Sequence, residues 1–398
     1  VPMYHSNIGE ILRLLGKLNE AEGHLREAVA LDPNYADARN NLGLVLYGLG
    51  KFEEAIEEYR HALTINPAYA GAHNNLGTAL KILGRADEAI AHYRQAVALQ
   101  PDFAEARSNL GVVLQEQGRL EEAIAQHREA LSLKPGHVDA FYNLGVAFQS
   151  QGKPEEAVVM YRQALSLNSS HVRAYNNLGV VLQGQGKFAE AAEQYRLALK
   201  HKPDHSEAYC NLGITLMEQG LLEEAASCYR RALAMNPDLS VAHSNLLFCL
   251  HYDTAHDSTE VVTLCREWHE RHARKFAAQI RPHTNQPDPE RPLRIGYVSA
   301  DFKRHPIGYF LEPVLAEHDK SKVTVFCYSG VSVADEWTAR IRTRADQWRD
   351  IAWKGDEEVA GMIREDEIDI LVDMSGHTAG NRLLVFARKP APVQVTWI

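Results

Sequence analysis

Small and apolar positions recur along the first 250 residues at a fixed step of 34. Glycine stands at Gly9, Gly43, Gly77, Gly111, Gly145, Gly179 and Gly213. Proline keeps the same step at Pro33, Pro67, Pro101, Pro135, Pro203 and Pro237, with Ser169 at the one missed place. A period of this length, with a small residue inside each unit and a proline closing it, marks stacked helical hairpins. In the unit spanning 35–68, Leu42, Val45 and Leu46 share one face of a first helix, and Ala55, Tyr59 and Ala62 share one face of a second. Gly50 and Lys51 form the turn between them. Gly43 and Ala55 let the paired helices approach closely, and Pro67 ends the unit because it cannot continue a helix.

The step fades near residue 250. An eighth unit starts as SVAHSNLLFCL but has Leu247 where the glycine belongs, which reads as a capping hairpin. Residues 257–280 then read as one amphipathic helix with its N-cap at Asp257 or Ser258. Residues 281–292 hold four prolines and read as an inter-domain linker.

Beyond residue 292 the pattern changes to short apolar runs separated by helical stretches. Runs at 293–301, 323–330, 368–376 and 392–398 are rich in β-branched and aromatic residues and predict strands, with 347–353 a weaker fifth. Helices are expected over 336–345 and 357–367. Such alternation predicts a parallel sheet covered on both faces, a Rossmann-like arrangement. The expected layout is an α-solenoid over 1–250, a linker helix and Pro-rich linker over 251–292, and an α/β lobe over 293–398. In sheets of this kind the working residues lie just beyond the carboxyl ends of strands. That rule singles out SADFKRHPIG after the first strand and SGHTAGNR after the strand at 368–376.

Composition narrows the function classes. Forty-two Lys and Arg against 52 Asp and Glu give a net charge of −10, without the basic excess a nucleic-acid backbone requires. The five cysteines include no CxxC pair and are too sparse for a disulfide scaffold, which fits a reducing compartment and a cytoplasmic setting. No apolar run reaches the ~18 residues that cross a bilayer, so no membrane association is expected.

The repeats resemble the tetratricopeptide consensus at nearly every position, over about 240 residues. One further column points to a partner. Asparagine stands two residues before each repeat glycine, at Asn7, Asn41, Asn75, Asn109, Asn143, Asn177 and Asn211, and the step continues to Asn245. Asparagine is a mediocre helix residue, so a column in register needs a reason other than propensity. Primary amides carry donors and an acceptor suited to an extended peptide backbone, and such a ladder would hold polypeptides with little regard for their side chains. The same amides could instead tie neighbouring helices together. The full column shifts the weight toward binding, and it resembles the asparagine ladder of O-GlcNAc transferases.

The segments LRIGYVSADFKRHPIG, VTVFCYSG, IDILVDMSGHTAGNRL and RKPAPVQVTWI resemble the start of the catalytic region of the O-GlcNAc transferase and SPINDLY family over all of 293–398. The resemblance implies a GT-B architecture of two Rossmann-like lobes with a nucleotide sugar in the cleft between them. It makes His305, in the HP motif, the candidate catalytic residue, as general base or positioning group. His377 and Thr378 in GHT, with Asp301 after the first strand, are candidates for the donor or acceptor cleft. Asp301 could equally serve as a cap. His377 stands where animal O-GlcNAc transferases carry a tyrosine, and the HTAGNRL run is closer to SPINDLY-like sequences. The donor is therefore UDP-GlcNAc or GDP-fucose, taken as a co-substrate, with no other cofactor and no metal. The resemblance also implies a glycine-rich loop and a second lobe after the last strand. On that reading the chain, from Val1 to Ile398, is a piece of a protein O-glycosyltransferase and would have little activity alone. The alternative class is a non-catalytic tetratricopeptide scaffold carrying a vestigial lobe.

Other signals carry less. His269 and His272 in WHERH lack the HExxH spacing and a third ligand, and Glu365, Asp366 and Glu367 read as a solvated helix end. The chain shows no GxGxxG after Tyr297, no GxSxG and no P-loop, which weighs against dehydrogenase, hydrolase and nucleotide-triphosphatase chemistry.

Overall fold

Each 34-residue step is one helical hairpin in the computed structural model, which describes residues 1–252, 258–288 and 290–397. The chain divides into two compact units, Val1–Lys202 and Pro203–Ile398. In the first unit the hairpins are α1 (Pro2–Leu14) with α2 (Leu18–Leu31), α3 (Ala36–Gly48) with α4 (Phe52–Ile65), and α5 (Ala70–Ile82) with α6 (Ala86–Leu99). They continue as α7 (Ala104–Glu116) with α8 (Leu120–Leu133), α9 (Val138–Ser150) with α10 (Pro154–Leu167), and α11 (Val172–Gly184) with α12 (Phe188–His201).

The glycine column exists because an aromatic ring fills its place. A methyl added to Gly43 would lie 2.5 Å from the ring of Tyr59, a residue sixteen positions on that is 1% exposed. The notch lets the ring lie against the helix backbone, and burial of such a ring stabilises the hairpin by roughly 2 kcal/mol. The turn glycine does different work. Gly50 takes φ +77°, and the Lys51 N–H donates to Leu46 O at 2.9 Å, closing α3 with a Schellman-type end that a side chain at residue 50 would strain.

The second unit opens with α13 (Ser206–Glu218), α14 (Leu222–Met235), α15 (Ser240–Tyr252) and α16 (Ser258–Trp268). The sequence predicts one helix over 257–280. Instead α16 stops at Trp268 and passes through a π-turn, His269–Ala273, into a 3₁₀ turn, Arg274–Gln279. The wider turn rotates the helix face so that Trp268, His272 and Ala273 are all buried. Of the two expected N-caps, Asp257 lies outside the described residues and Ser258 is the first residue of α16. Leu247, at the glycine position, is fully buried and packs with Trp268 and Ala273 against Leu383, Leu384 and Ala387. That core binds the last hairpin to the α/β segment, so the compact units part at residues 202 and 203 and not near 250.

The α/β segment contains β1 (Leu293–Ser299), α17 (Pro306–Glu317), β2 (Val323–Ser329), α18 (Glu336–Arg342) and β3 (Gln347–Asp350). After these come α19 (Asp356–Glu365), β4 (Ile370–Asp373), α20 (Leu383–Phe386) and β5 (Val393–Thr396). All pairings are parallel and the order is β3-β2-β1-β4-β5. Alternate side chains serve opposite faces. Tyr297, Val325, Cys327 and Val372 pack with Ile307, Leu311, Leu315 and Ile341, whereas Val298, Phe326, Tyr328 and Leu371 pack with Val359, Ala360 and Ile363.

β5 is an edge strand, with Val393 48% and Val395 44% exposed, because β4 is its one sheet neighbour among the described residues. The expected 281–292 linker is tied to the sheet. The carboxylate of Asp369, at the foot of β4, accepts from Arg291 at 2.6 and 2.7 Å, from Asn285 at 2.8 Å and from the Arg294 N–H at 2.9 Å. Burial works to raise the Asp369 pKa, but these donors outweigh it and hold the carboxyl below its ordinary value.

Candidate functional site

Strand order places the site. The chain steps outward from β1 through β2 to β3 and then crosses back to β4, so the direction reverses between β1 and β4. Loops leaving the carboxyl ends of these two neighbours bound the crevice in which open α/β sheets bind ligands. The two loops touch. A methyl added to Gly380, at φ +73°, would lie 2.8 Å from the Ala300 side chain.

The loop after β1 is short because Pro306 starts α17. This helix is not foreseen from the sequence, where Pro313 inside it argues against one. His305 is its N-cap, with Nδ1 accepting from the Ile307 N–H at 3.3 Å. In the neutral ring the proton then sits on Nε2. The His305 side chain is 40% exposed. Asp301 does not cap the helix. Its N–H donates to Ser299 Oγ at 2.9 Å, and its carboxylate lies 3.6 Å from Lys303 Nζ and 4.0 Å from His305 Nδ1.

The loop after β4 hangs on Asp373, whose carboxylate accepts from the N–H groups of Ser375 and Gly376 at 3.0 Å each. Burial pushes the Asp373 pKa up against these bonds. Thr378 Oγ1 donates to Ser375 O at 2.7 Å, which closes the turn that presents His377. The His377 Nδ1 lies 3.1 Å from Ser244 Oγ, and the ring stands edge-on to Trp268 at 5.2 Å. Trp268 Nε1 donates to the same Ser244 Oγ at 3.1 Å. Ser244 Oγ therefore accepts from the indole and is shared with the imidazole of His377. Burial, followed by the nearby His243 and His251, pushes the His377 pKa down to about 4, so the ring is neutral at pH 7.

A cavity of about 220 Å³ opens beside this contact, lined by Ser244, Asn245, Trp268, Asp356, Thr378 and Arg382 among others. The last residue of the asparagine column and the GHT loop thus share one space, while His305 and Asp301 do not line it. Arg382 is held by Asp356 at 3.0 Å and by Ile351 O at 2.6 Å. Sequence reading missed Ser244, Trp268, Asp356 and Arg382. Arg382 stands in the SGHTAGNR loop, but nothing local marks Ser244 or Trp268 as its neighbours.

The rest of the column does structural work as well. Asn75 Nδ2 donates to Asn40 Oδ1 at 3.0 Å, Asn109 Nδ2 to Asn74 Oδ1 at 3.0 Å, and Asn177 Nδ2 to the Tyr142 hydroxyl at 3.1 Å. Each bond spans 35 residues and joins first helices of successive hairpins. Asn41, Asn143 and Asn211 are half-buried, Asn7 is exposed and Asn245 is buried.

A stack of helical hairpins followed by a doubly wound parallel sheet defines a repeat protein carrying a Rossmann-like lobe. Comparison supplies the family. Residues 236–398 match the model of glycosyl transferase family 41, and tetratricopeptide models match 2–68, 102–170 and 181–240. Residues 236–398 are similar to family 41 glycosyltransferases and follow tetratricopeptide repeats, the combination found in the O-GlcNAc transferase and SPINDLY relatives, of whose length the chain spans less than a fifth. It is 46% identical over 137 residues to an Arabidopsis thaliana protein named as a probable UDP-N-acetylglucosamine peptide N-acetylglucosaminyltransferase, SPINDLY, covering 33% of this chain and 15% of that one. It is 37% identical over 108 residues to the UDP-N-acetylglucosamine peptide N-acetylglucosaminyltransferase of Caenorhabditis elegans, covering 27% of this chain and 9% of the relative. Among solved structures, a Thermobaculum terrenum O-GlcNAc transferase mutant superposes with a TM-score of 0.60 at 36% identity, over 65% of this chain and 50% of that one. No helix among the described residues is long and apolar enough to cross a membrane.

Proposed function

We propose that this chain is the polypeptide-binding and acceptor-side part of a protein O-glycosyltransferase, in which the hairpins hold a polypeptide and the α/β lobe forms one wall of a GT-B cleft. The sugar passes from UDP-GlcNAc to a Ser or Thr hydroxyl. The acceptor oxygen forms a bond to the anomeric carbon as the nucleoside diphosphate leaves with its electron pair, and the hydroxyl proton passes to an oxygen of the departing diphosphate. The observation that carries this reading is the cavity shared by Asn245 and Thr378, which sets the end of the amide column beside a loop of the β1/β4 crevice in a chain that matches family 41. In the column, Nδ2 of Asn75, Asn109 and Asn177 is engaged with the preceding hairpin, which fixes each amide; Oδ1 of Asn75 and Asn177 also accepts from Asn74 and Asn176 at 3.4 and 3.5 Å and keeps a second lone pair for a peptide N–H. His305 acts as a donor through Nε2–H and positions the reacting oxygens, since Nδ1 is committed to the Ile307 amide.

Transfer to a protein substrate by the whole gene product, with UDP-GlcNAc and GDP-fucose in parallel, tests this. His305→Ala is expected to lower kcat on the order of 100-fold. Full activity in that variant would remove His305 from the reaction, and preference for GDP-fucose would replace the donor. Absence of transfer with either donor, from protein that binds polypeptide, would leave a scaffold.

A further inference from the structure

In the first hairpin, His5 on α1 and His24 and Glu27 on α2 converge. His5 Nδ1 lies 3.2 Å from His24 Nδ1 and 3.2 Å from Glu27 Oε2. All three potential ligand atoms fall within 4.8 Å of one another. His24 and Glu27 are three residues apart and so share a face of α2, while His5 reaches across from the partner helix. Three lone-pair atoms meet here, and a single proton on His5 Nδ1 can serve the other two only as a divided hydrogen bond. A divalent cation takes all three.

The two separations from His5 Nδ1 suit such an ion. Tetrahedral zinc with bonds of ~2.0–2.1 Å sets neighbouring ligand atoms about 3.3 Å apart. Glu27 is 57% exposed, which leaves an open side for water as a fourth ligand. A built-in control lies two repeats away. His73 and His92 occupy the equivalent places, with Nδ1 atoms 3.0 Å apart and rings stacked at 5.2 Å, against 5.5 Å for His5 and His24. There the third place holds Gln95, which has no carboxylate. In the intervening repeat the pair is Arg39 and Glu58, an ion pair at 2.9 Å.

We propose that His5, His24 and Glu27 form a surface site for a borderline divalent cation of the zinc class, bound through two imidazole nitrogens and one carboxylate oxygen. Imidazole with carboxylate is a donor set suited to zinc. No sequence motif announces it, because the ligands are separated by 19 and 3 residues across a turn.

Titration of the 398-residue chain with ZnCl₂, followed by calorimetry, and with Co²⁺, followed by its visible absorption, tests the site. The chain is expected to bind one equivalent with tetrahedral-type Co²⁺ absorption. Glu27→Gln, which recreates the ligand set of the third repeat, is expected to weaken zinc binding at least tenfold, and His24→Gln to do the same. Gln95→Glu is expected to add a second equivalent. Retention of wild-type affinity in Glu27→Gln or His24→Gln overturns the site. Failure of Gln95→Glu to add an equivalent overturns the carboxylate as the difference between the two histidine pairs. Circular dichroism confirms that each variant is folded, as the exposure of Glu27 predicts.

Discussion

His127 stands where five other repeats have tyrosine and the first has Leu25, and the substitution leaves a mark. Tyr59, Tyr93, Tyr161, Tyr195 and Tyr229 fill the equivalent place, and Tyr161 and Tyr195 donate to Gln149 and Gln183 at 2.8 and 3.1 Å. His127 is fully buried with neither ring nitrogen hydrogen-bonded. Burial, followed by His137, pushes its pKa down to about 4. The matching glutamine, Gln115, is present. His127→Tyr should therefore stabilise the chain by about 1–2 kcal/mol by removing an unsatisfied buried group. Thermal unfolding at pH 7 reads this directly, and the gain should widen toward pH 5, because the unfolded imidazole takes up a proton that the buried one refuses. The irregularity itself is legible in the sequence as one histidine in a tyrosine column. His305 and His377 were singled out by another route, the family resemblance of the two loops that the strand-end rule marks. Their partners were not, since Ser244 lies 133 residues from His377 and no local pattern spans that distance.

At the scale of elements, glycine and ring form one object. Because the Gly43 notch is filled by Tyr59, Gly43→Ala forces the ring to move and should cost about 1–3 kcal/mol, measured by urea unfolding. Gly184, with nothing near an added methyl, is the control and should tolerate alanine with little loss. The hairpins and strands were readable because each is an amphipathic period of 3.6 or 2 repeated several times. The end of α16 was not. Its π-turn answers to burial of Trp268 against α15 and the segment after β4, a tertiary demand that overrides helix periodicity. Helix α17 was missed for the opposite reason, as Pro313 masks a helix that packing of Leu311 and Leu315 under the sheet secures.

For the molecule as a whole, the second unit carries a buried histidine group that links repeat to lobe. His243 Nδ1 lies 3.2 Å from His272 Nε2, and His377 reaches Ser244. Burial, followed by His243, pushes the His272 pKa down to about 4, and burial lowers that of His243. A depressed histidine contributes stability that is complete above its unfolded value of 6.5 and is lost as pH falls toward the folded value of about 4. The buried carboxyl of Asp373 is shifted up and works in the opposite sense. The protection factors of amides in α15 and residues 374–382, corrected for the intrinsic slowing of exchange at lower pH, should therefore fall between pH 7 and pH 5 in the wild type, and less so in His272→Gln, where Asp373 is unchanged.

The notch and its ring also set the grain at which the array can be edited. Hollow and plug both lie inside one hairpin, with Leu25 in place of the ring in the first, so adding or removing one whole unit of 34 leaves every remaining pair intact. A shorter insertion inside a helix would turn hollow and plug away from each other. Leu247 breaks that rule, with Thr263 sixteen positions on where a ring would stand, and marks the place where modular growth of the solenoid stops and a unique joint begins.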